Sequence, residues 1–123
     1  MNYEQAAIKH AEDAIARIIG DDLDPLYGTT RSFGSLTRAQ VDVIVEEAAA
    51  WQYRLDTDDF DRDLDAHHCR GYLAGIARTM RLLTGVERFH VVSPVTGWEG
   101  DVDWQSIFRM KYVLEEVNRA NEQ

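Results

Sequence analysis

Apolar residues recur along most of this chain at the three-and-four spacing of amphipathic helices. From Asn2 to Ile19, residues Ala7, Ile8, Ala11, Ala14, Ile15, Ile18 and Ile19 share one arc, with Lys9, Asp13 and Arg17 opposite. Gly20 suits the C′ position that ends this helix. A second helix opens at Thr37, an N-cap whose capping-box partner is Gln40, and runs to about Leu55. Its stripe is Val41, Ile44, Val45, Ala48, Trp51, Gln52 and Leu55, with Val43 and Tyr53 on the far side.

The third predicted helix is the longest. It starts near Asp58 or Asp59 and ends at Thr84, with Gly85 at C′. Its apolar arc is wide, taking in Cys69, Tyr72, Leu73, Ile76, Ala77, Met80, Leu82 and Leu83, as expected of a helix with neighbours on several sides. Gly71 and Gly75 lie one turn apart on one face at a cost in helix propensity, which points to close approach of another backbone. A last helix opens near Asp101 or Asp103 and frays by Asn121, with a core arc of Ile107, Met110, Val113, Leu114 and Val117.

Between these helices, 20–36 reads as a loop with a short turn at Leu23–Tyr27, and 86–102 as irregular, with Phe89-His90-Val91-Val92 as one short strand. The predicted fold is all-α: a small bundle of about four helices around a long central helix (about 58–84), with irregular loops at 20–36 and 86–102. At 123 residues the length prior is a single helical domain over 1–123.

Charge sharpens this picture. The net charge of −9 disfavours direct contact with nucleic acid or an anionic membrane and favours a basic protein partner. No run approaches the roughly 20 apolar residues that span a bilayer. The start of the chain lacks the pattern of a secretion signal, and the one cysteine, Cys69, has no second thiol to pair with, so a cytoplasmic location is expected.

Six aspartates fall within Asp56–Asp65, net −5, while 66–90 carries Arg70, Arg78, Arg81 and Arg88 against Glu87. Acid at the start and base at the end is the order a helix dipole favours. As a calcium loop begun at Asp59 the run fails at Leu64, where glycine is needed, and at Arg70, where a bidentate glutamate is needed. Asp61, Asp65 and His68 do share one helical face, the spacing of a carboxylate–histidine metal site, but no further ligand motif accompanies them. The preferred reading of His68 is a partly buried histidine hydrogen-bonded to Asp65. No cofactor is expected. Nucleophile-elbow and P-loop patterns are missing, and Cys69 lies on the apolar arc as a small buried hydrophobe.

Trp104, Phe108 and Tyr112 recur at i, i+4 and i+8, away from the aliphatic arc of the last helix. They are either covered by the 86–102 loop, with Trp98 packed on them, or exposed as a protein-binding stripe.

The function expected from the sequence is non-enzymatic protein binding by an inhibitor or adaptor. Its acidic edge is Asp56, Asp58, Asp59, Asp61 and Asp63, which would engage a basic surface that otherwise holds nucleic acid. Its aromatic stripe is Trp104, Phe108 and Tyr112. Two rivals are a metal-dependent helical enzyme built on Asp61, Asp65 and His68, and a homo-oligomer that buries the stripe across a two-fold axis.

Overall fold

The computed structural model describes residues 24–57, 60, 63–92 and 97–121, with the side chains of Asp63 and Asn121 outside that description. The expected helix at 2–19, and Asp58, Asp59 and Asp61 of the acidic run, lie outside it too. The protein is mostly helical with one small sheet. Among the described residues the order is α1 (Arg38–Asp56), α2 (Asp63–Thr84), β1 (Phe89–Val92), β2 (Glu99–Val102) and α3 (Trp104–Asn121). The chain divides into two compact units, Met1–Arg31 with Arg88–Val102, and Ser32–Glu87 with Asp103–Gln123.

In the first unit, residues 86–102 are not the irregular loop that the sequence suggests. Phe89–Val92 finds a partner, and β1 and β2 form an antiparallel hairpin with Phe89 opposite Val102 and His90 opposite Asp101. A strand of four residues leaves its backbone groups open unless a second strand takes them, and the polar segment Glu99–Val102 has too little alternation to announce that role. Phe89, Val91 and Val92 are buried, and the Phe89 ring lies 6.0 Å from that of the buried Tyr27. Tyr27 sits in a turn closed by reciprocal Asp24–Gly28 backbone hydrogen bonds, while Asp24 Oδ1 accepts from Leu26 N–H at 2.8 Å. Gly28 has φ +62°, and an added methyl there would overlap the His90 carbonyl. Only glycine meets both demands without strain.

In the second unit, α1 begins as expected. Gln40 N–H donates to Thr37 Oγ1 at 3.1 Å, and Thr37 N–H donates to Gln40 Oε1 at 2.9 Å, a complete capping box. Val41, Val45, Ala48, Ala49 and Gln52 are its buried residues. At the end of α2, Gly85 takes φ +73° and donates to Arg81 O at 2.9 Å, the helix stop its position predicts.

Three expectations about α2 and α3 change. First, α2 begins at Asp63, and Phe60 is not helical, so most of the acidic run precedes the helix. Second, α2 is not wrapped on several sides. Its buried residues, Ala66, Cys69, Leu73, Met80 and Thr84, form a narrow stripe, while Leu64, Tyr72, Leu82 and Leu83 are exposed. Among the described residues α1 is the helix that packs most on the others. Among the described residues, Gly71 and Gly75 have nothing within 4 Å of where a Cβ would stand, so no other described backbone approaches them. Third, α3 buries Trp104, Ile107 and Phe108, whereas Val113 of the predicted aliphatic arc is exposed. Aromatic rings remove about 150–250 Å² each from water, roughly 4–6 kcal/mol gross, and outweigh an aliphatic arc. The Trp104 ring packs 6.5 Å from Phe33 and 6.4 Å from Phe108, and its indole N–H donates to Val86 O at 2.8 Å. Asp103 caps this helix, accepting from Ser106 N–H at 2.9 Å.

The glycines separate by environment. At concentrations where the chain is monomeric, Gly75→Ala is expected to raise stability by roughly 0.5–1 kcal/mol, since the space is open within the chain and alanine favours helix. Gly28→Ala is expected to lower it by about 2 kcal/mol or more, through a left-handed backbone and a main-chain clash. Urea unfolding of both variants checks the opposite signs.

Candidate functional site

The acidic run begins at the end of α1. Its first member, Asp56, ends α1 and is held by α3. Asp56 Oδ2 accepts from Arg109 Nε at 2.7 Å and from the Tyr112 hydroxyl at 2.6 Å. Oδ1 accepts from Arg109 Nη2 at 3.0 Å and from Gln52 Nε2 at 2.9 Å. The Asp56 side chain is 22% exposed and its oxygens are engaged within the chain, so Asp56 is withdrawn from the partner-binding edge. The hydrogen bonds from Arg109, then those from Tyr112 and Gln52, outweigh burial and hold this carboxyl down at about 2. Burial and the bond to Asp56 push the Tyr112 hydroxyl up to about 12. The Tyr53 ring meets Tyr112 edge-on at 5.3 Å.

The aromatic stripe divides in the same way. Trp104 and Phe108 are buried at 1% and 0% exposure, so they are core and not a surface for a partner. Tyr112 is half-buried and serves the Asp56 clamp. Trp98 is 53% exposed and lies over Gly100 of its own hairpin. The three rings share a helical face, as their spacing requires. Their exposure was the part that spacing does not determine.

What lies open is a cleft of about 400 Å³ between α1 and α2, lined by Trp51, Arg54, Phe60, Asp65, His68, Cys69 and Tyr72. The Arg54 guanidinium is 4.9 Å from the centres of both the Trp51 and the Phe60 rings, a cation held between two aromatic faces. Tyr72 meets Trp51 edge-on at 5.7 Å. Asp65 and His68 stand on the cleft wall and both are exposed, which corrects the expectation of a partly buried histidine. Among the described residues no hydrogen bond joins the two, and no group of three metal-binding side chains forms. Cys69 Sγ donates to Trp51 O at 3.5 Å, and burial pushes its thiol above the ordinary value, which suits a structural residue.

The sequence marked the elements of this cleft but not the cleft itself. Trp51 was placed on the core stripe of α1, yet it is only partly buried; Arg54 and Phe60 carried no motif. The i, i+3 spacing of Trp51 and Arg54 was the available signal.

In the first unit, His90 forms a separate charge cluster. Its Nδ1 lies 2.9 Å from Asp101 Oδ1 and its Nε2 2.8 Å from Glu99 Oε1. The hydrogen bond to Asp101, then that to Glu99, raises its pKa, so the doubly bonded imidazolium ties β1 to β2. That stabilisation is complete below the ordinary histidine value and is lost as pH rises through the raised one.

The Asp56 clamp has the opposite dependence. A depressed carboxyl stabilises the fold above its unfolded value of 3.8 and loses that contribution as pH falls towards 2. Asp56→Asn is expected to cost about 2 kcal/mol at neutral pH and almost nothing near the bottom of that window. Denaturant unfolding of both proteins across acidic pH measures the convergence. No family model, curated protein or solved structure matches this chain, so the geometry of the cleft and its surrounding charge carry the functional reading.

Proposed function

We propose that this protein acts without catalysis, as an inhibitor or adaptor that binds a basic protein partner through the cleft between α1 and α2. The observation that carries the reading is the exposed aromatic cleft of Trp51, Phe60 and Tyr72, which opens on the segment joining α1 to α2, where the acidic run lies. An apolar anchor from the partner gains affinity in such a cleft, because rings and an arginine stem exclude water around it. The carboxylates of Asp58, Asp59, Asp61 and Asp63 add long-range steering towards Lys and Arg on the partner, consistent with a net charge of −9. A partner surface that otherwise holds nucleic acid has the matching charge. The inward commitment of Asp56, Trp104 and Phe108 is what favours this cleft over the edges predicted by the sequence.

Photo-crosslinking in cells tests this. A photoreactive residue in place of His68 is expected to trap a protein with a basic surface, whereas one in place of Arg119 on α3 does not. With that partner in hand, Tyr72→Ser slows little in association but dissociates faster. The Asp58, Asp59, Asp61 and Asp63→Asn variant associates more slowly, with a shallower dependence on salt. Binding indifferent to both changes removes the proposal.

The metal-dependent alternative keeps one specific observation, since two of its three ligands, Asp65 and His68, line the same cleft. If that alternative holds, protein purified without chelator carries a stoichiometric metal, and EDTA lowers its melting temperature. The binding reading expects identical melting with and without EDTA.

A further inference from the structure

A second surface, on the outer face of α2, shares only His68 with the cleft. Leu64, His68, Gly71, Gly75, Arg78 and Leu82 follow one another at alternating steps of four and three. That is the a/d spacing of a coiled-coil seam. On a helix these six residues fall within an arc of about 80°. The arc lies away from the buried stripe of Ala66, Cys69, Leu73 and Met80. Leu64 and Leu82 are 59% and 75% exposed, and the space above Gly71 and Gly75 is open. Two glycines within a helix cost roughly 1 kcal/mol each against alanine. No contact among the described residues offsets that cost.

The seam is also symmetric about Leu73. Leu64 and Leu82 are equidistant from it, as are His68 and Arg78, and Gly71 and Gly75. An antiparallel pair of such helices matches each a position with a d position of the other copy, so leucine meets leucine at both ends and glycine meets glycine at the centre. Charge selects the same arrangement. The aspartates of 56–65 lie before and at the start of α2, and Arg78 and Arg81 lie towards its end. Antiparallel pairing sets acid beside base at both ends and opposes the helix dipoles, whereas parallel pairing sets acid beside acid.

We infer that α2 is a homodimerisation helix, pairing antiparallel with α2 of a second copy across Leu64, Gly71, Gly75 and Leu82. The glycines let the two backbones approach closely at the centre, and the leucines supply the apolar area at the ends. The Arg78 stem lies along the seam while its guanidinium reaches solvent. The seam meets the cleft at His68, while the aromatic lining of the cleft, Trp51, Phe60 and Tyr72, lies outside it.

Sedimentation equilibrium of the full chain is expected to show a monomer–dimer equilibrium. Leu82→Glu weakens it roughly a hundredfold, since each symmetric dimer loses two buried leucines. Because Leu82 is exposed, circular dichroism of that variant stays that of the parent. Register is read with a short bismaleimide. The Leu64→Cys/Leu82→Cys variant crosslinks to a dimer. Leu82→Cys alone does not, because its two thiols stand roughly 27 Å apart along an antiparallel pair. The native Cys69 is buried and stays silent. A monomer at the highest soluble concentration, a dimer indifferent to Leu82→Glu, or crosslinking of the Leu82→Cys variant alone each overturns the inference. A monomer that still traps a basic protein at His68 leaves the cleft reading standing, so the two proposals fail separately.

Discussion

Burial of Trp104 is the constraint on which the second unit depends. Its ring, with Phe33 and Phe108, occupies the interior, and its indole N–H is satisfied by the carbonyl of Val86 just past the end of α2. A tryptophan buried without that bond would leave a donor in an apolar setting, at a cost of about 1–3 kcal/mol. Once α3 turns this side inward, Ile107 is buried with it and the rest of the aliphatic arc, Met110, Val113, Leu114 and Val117, is left at the periphery. The aromatic stripe therefore ceases to be a candidate surface for the same reason that it holds the fold.

Asp56 extends the same logic to charge. A carboxylate at the end of α1 accepts from Arg109 and Tyr112 on α3 and from Gln52 one turn back. Bidentate geometry with arginine is among the stronger polar contacts available to a partly buried carboxylate. The first member of the acidic run becomes structural. The open aromatic cleft lies beside the residues of α1 that precede Asp56, where Arg54 is clasped by Trp51 and Phe60. Structural carboxylate and candidate binding surface are thus adjacent.

Local signals in the sequence were reliable where the physics is local. The Thr37–Gln40 capping box, the stop at Gly85 and the start of α3 after Asp103 each depend on hydrogen bonds within one turn, so the residues themselves announce them. The start of α2 was misplaced because acidic residues favour a helix beginning without requiring one there, and Phe60 turns its ring towards Arg54 instead. The hairpin at Phe89–Val102 was half visible. β1 has the apolar character of a strand, whereas Glu99–Val102 becomes one only through pairing with it.

By itself the sequence determined the helical character of the chain, the faces on which residues align, the strong negative charge and the palindromic spacing along 64–82. These follow from periodicity and composition, which require no knowledge of neighbours. Only the tertiary structure decided which face of each helix is covered. It buried Trp104 and Phe108, left Leu64 and Leu82 open, engaged Asp56 with α3 and exposed His68. Burial is a property of pairs of surfaces, and two apolar arcs on one helix compete for a single neighbour. The competition is resolved by ring area, hydrogen-bond satisfaction and the reach of residues far apart in sequence, none of which the spacing of one segment contains.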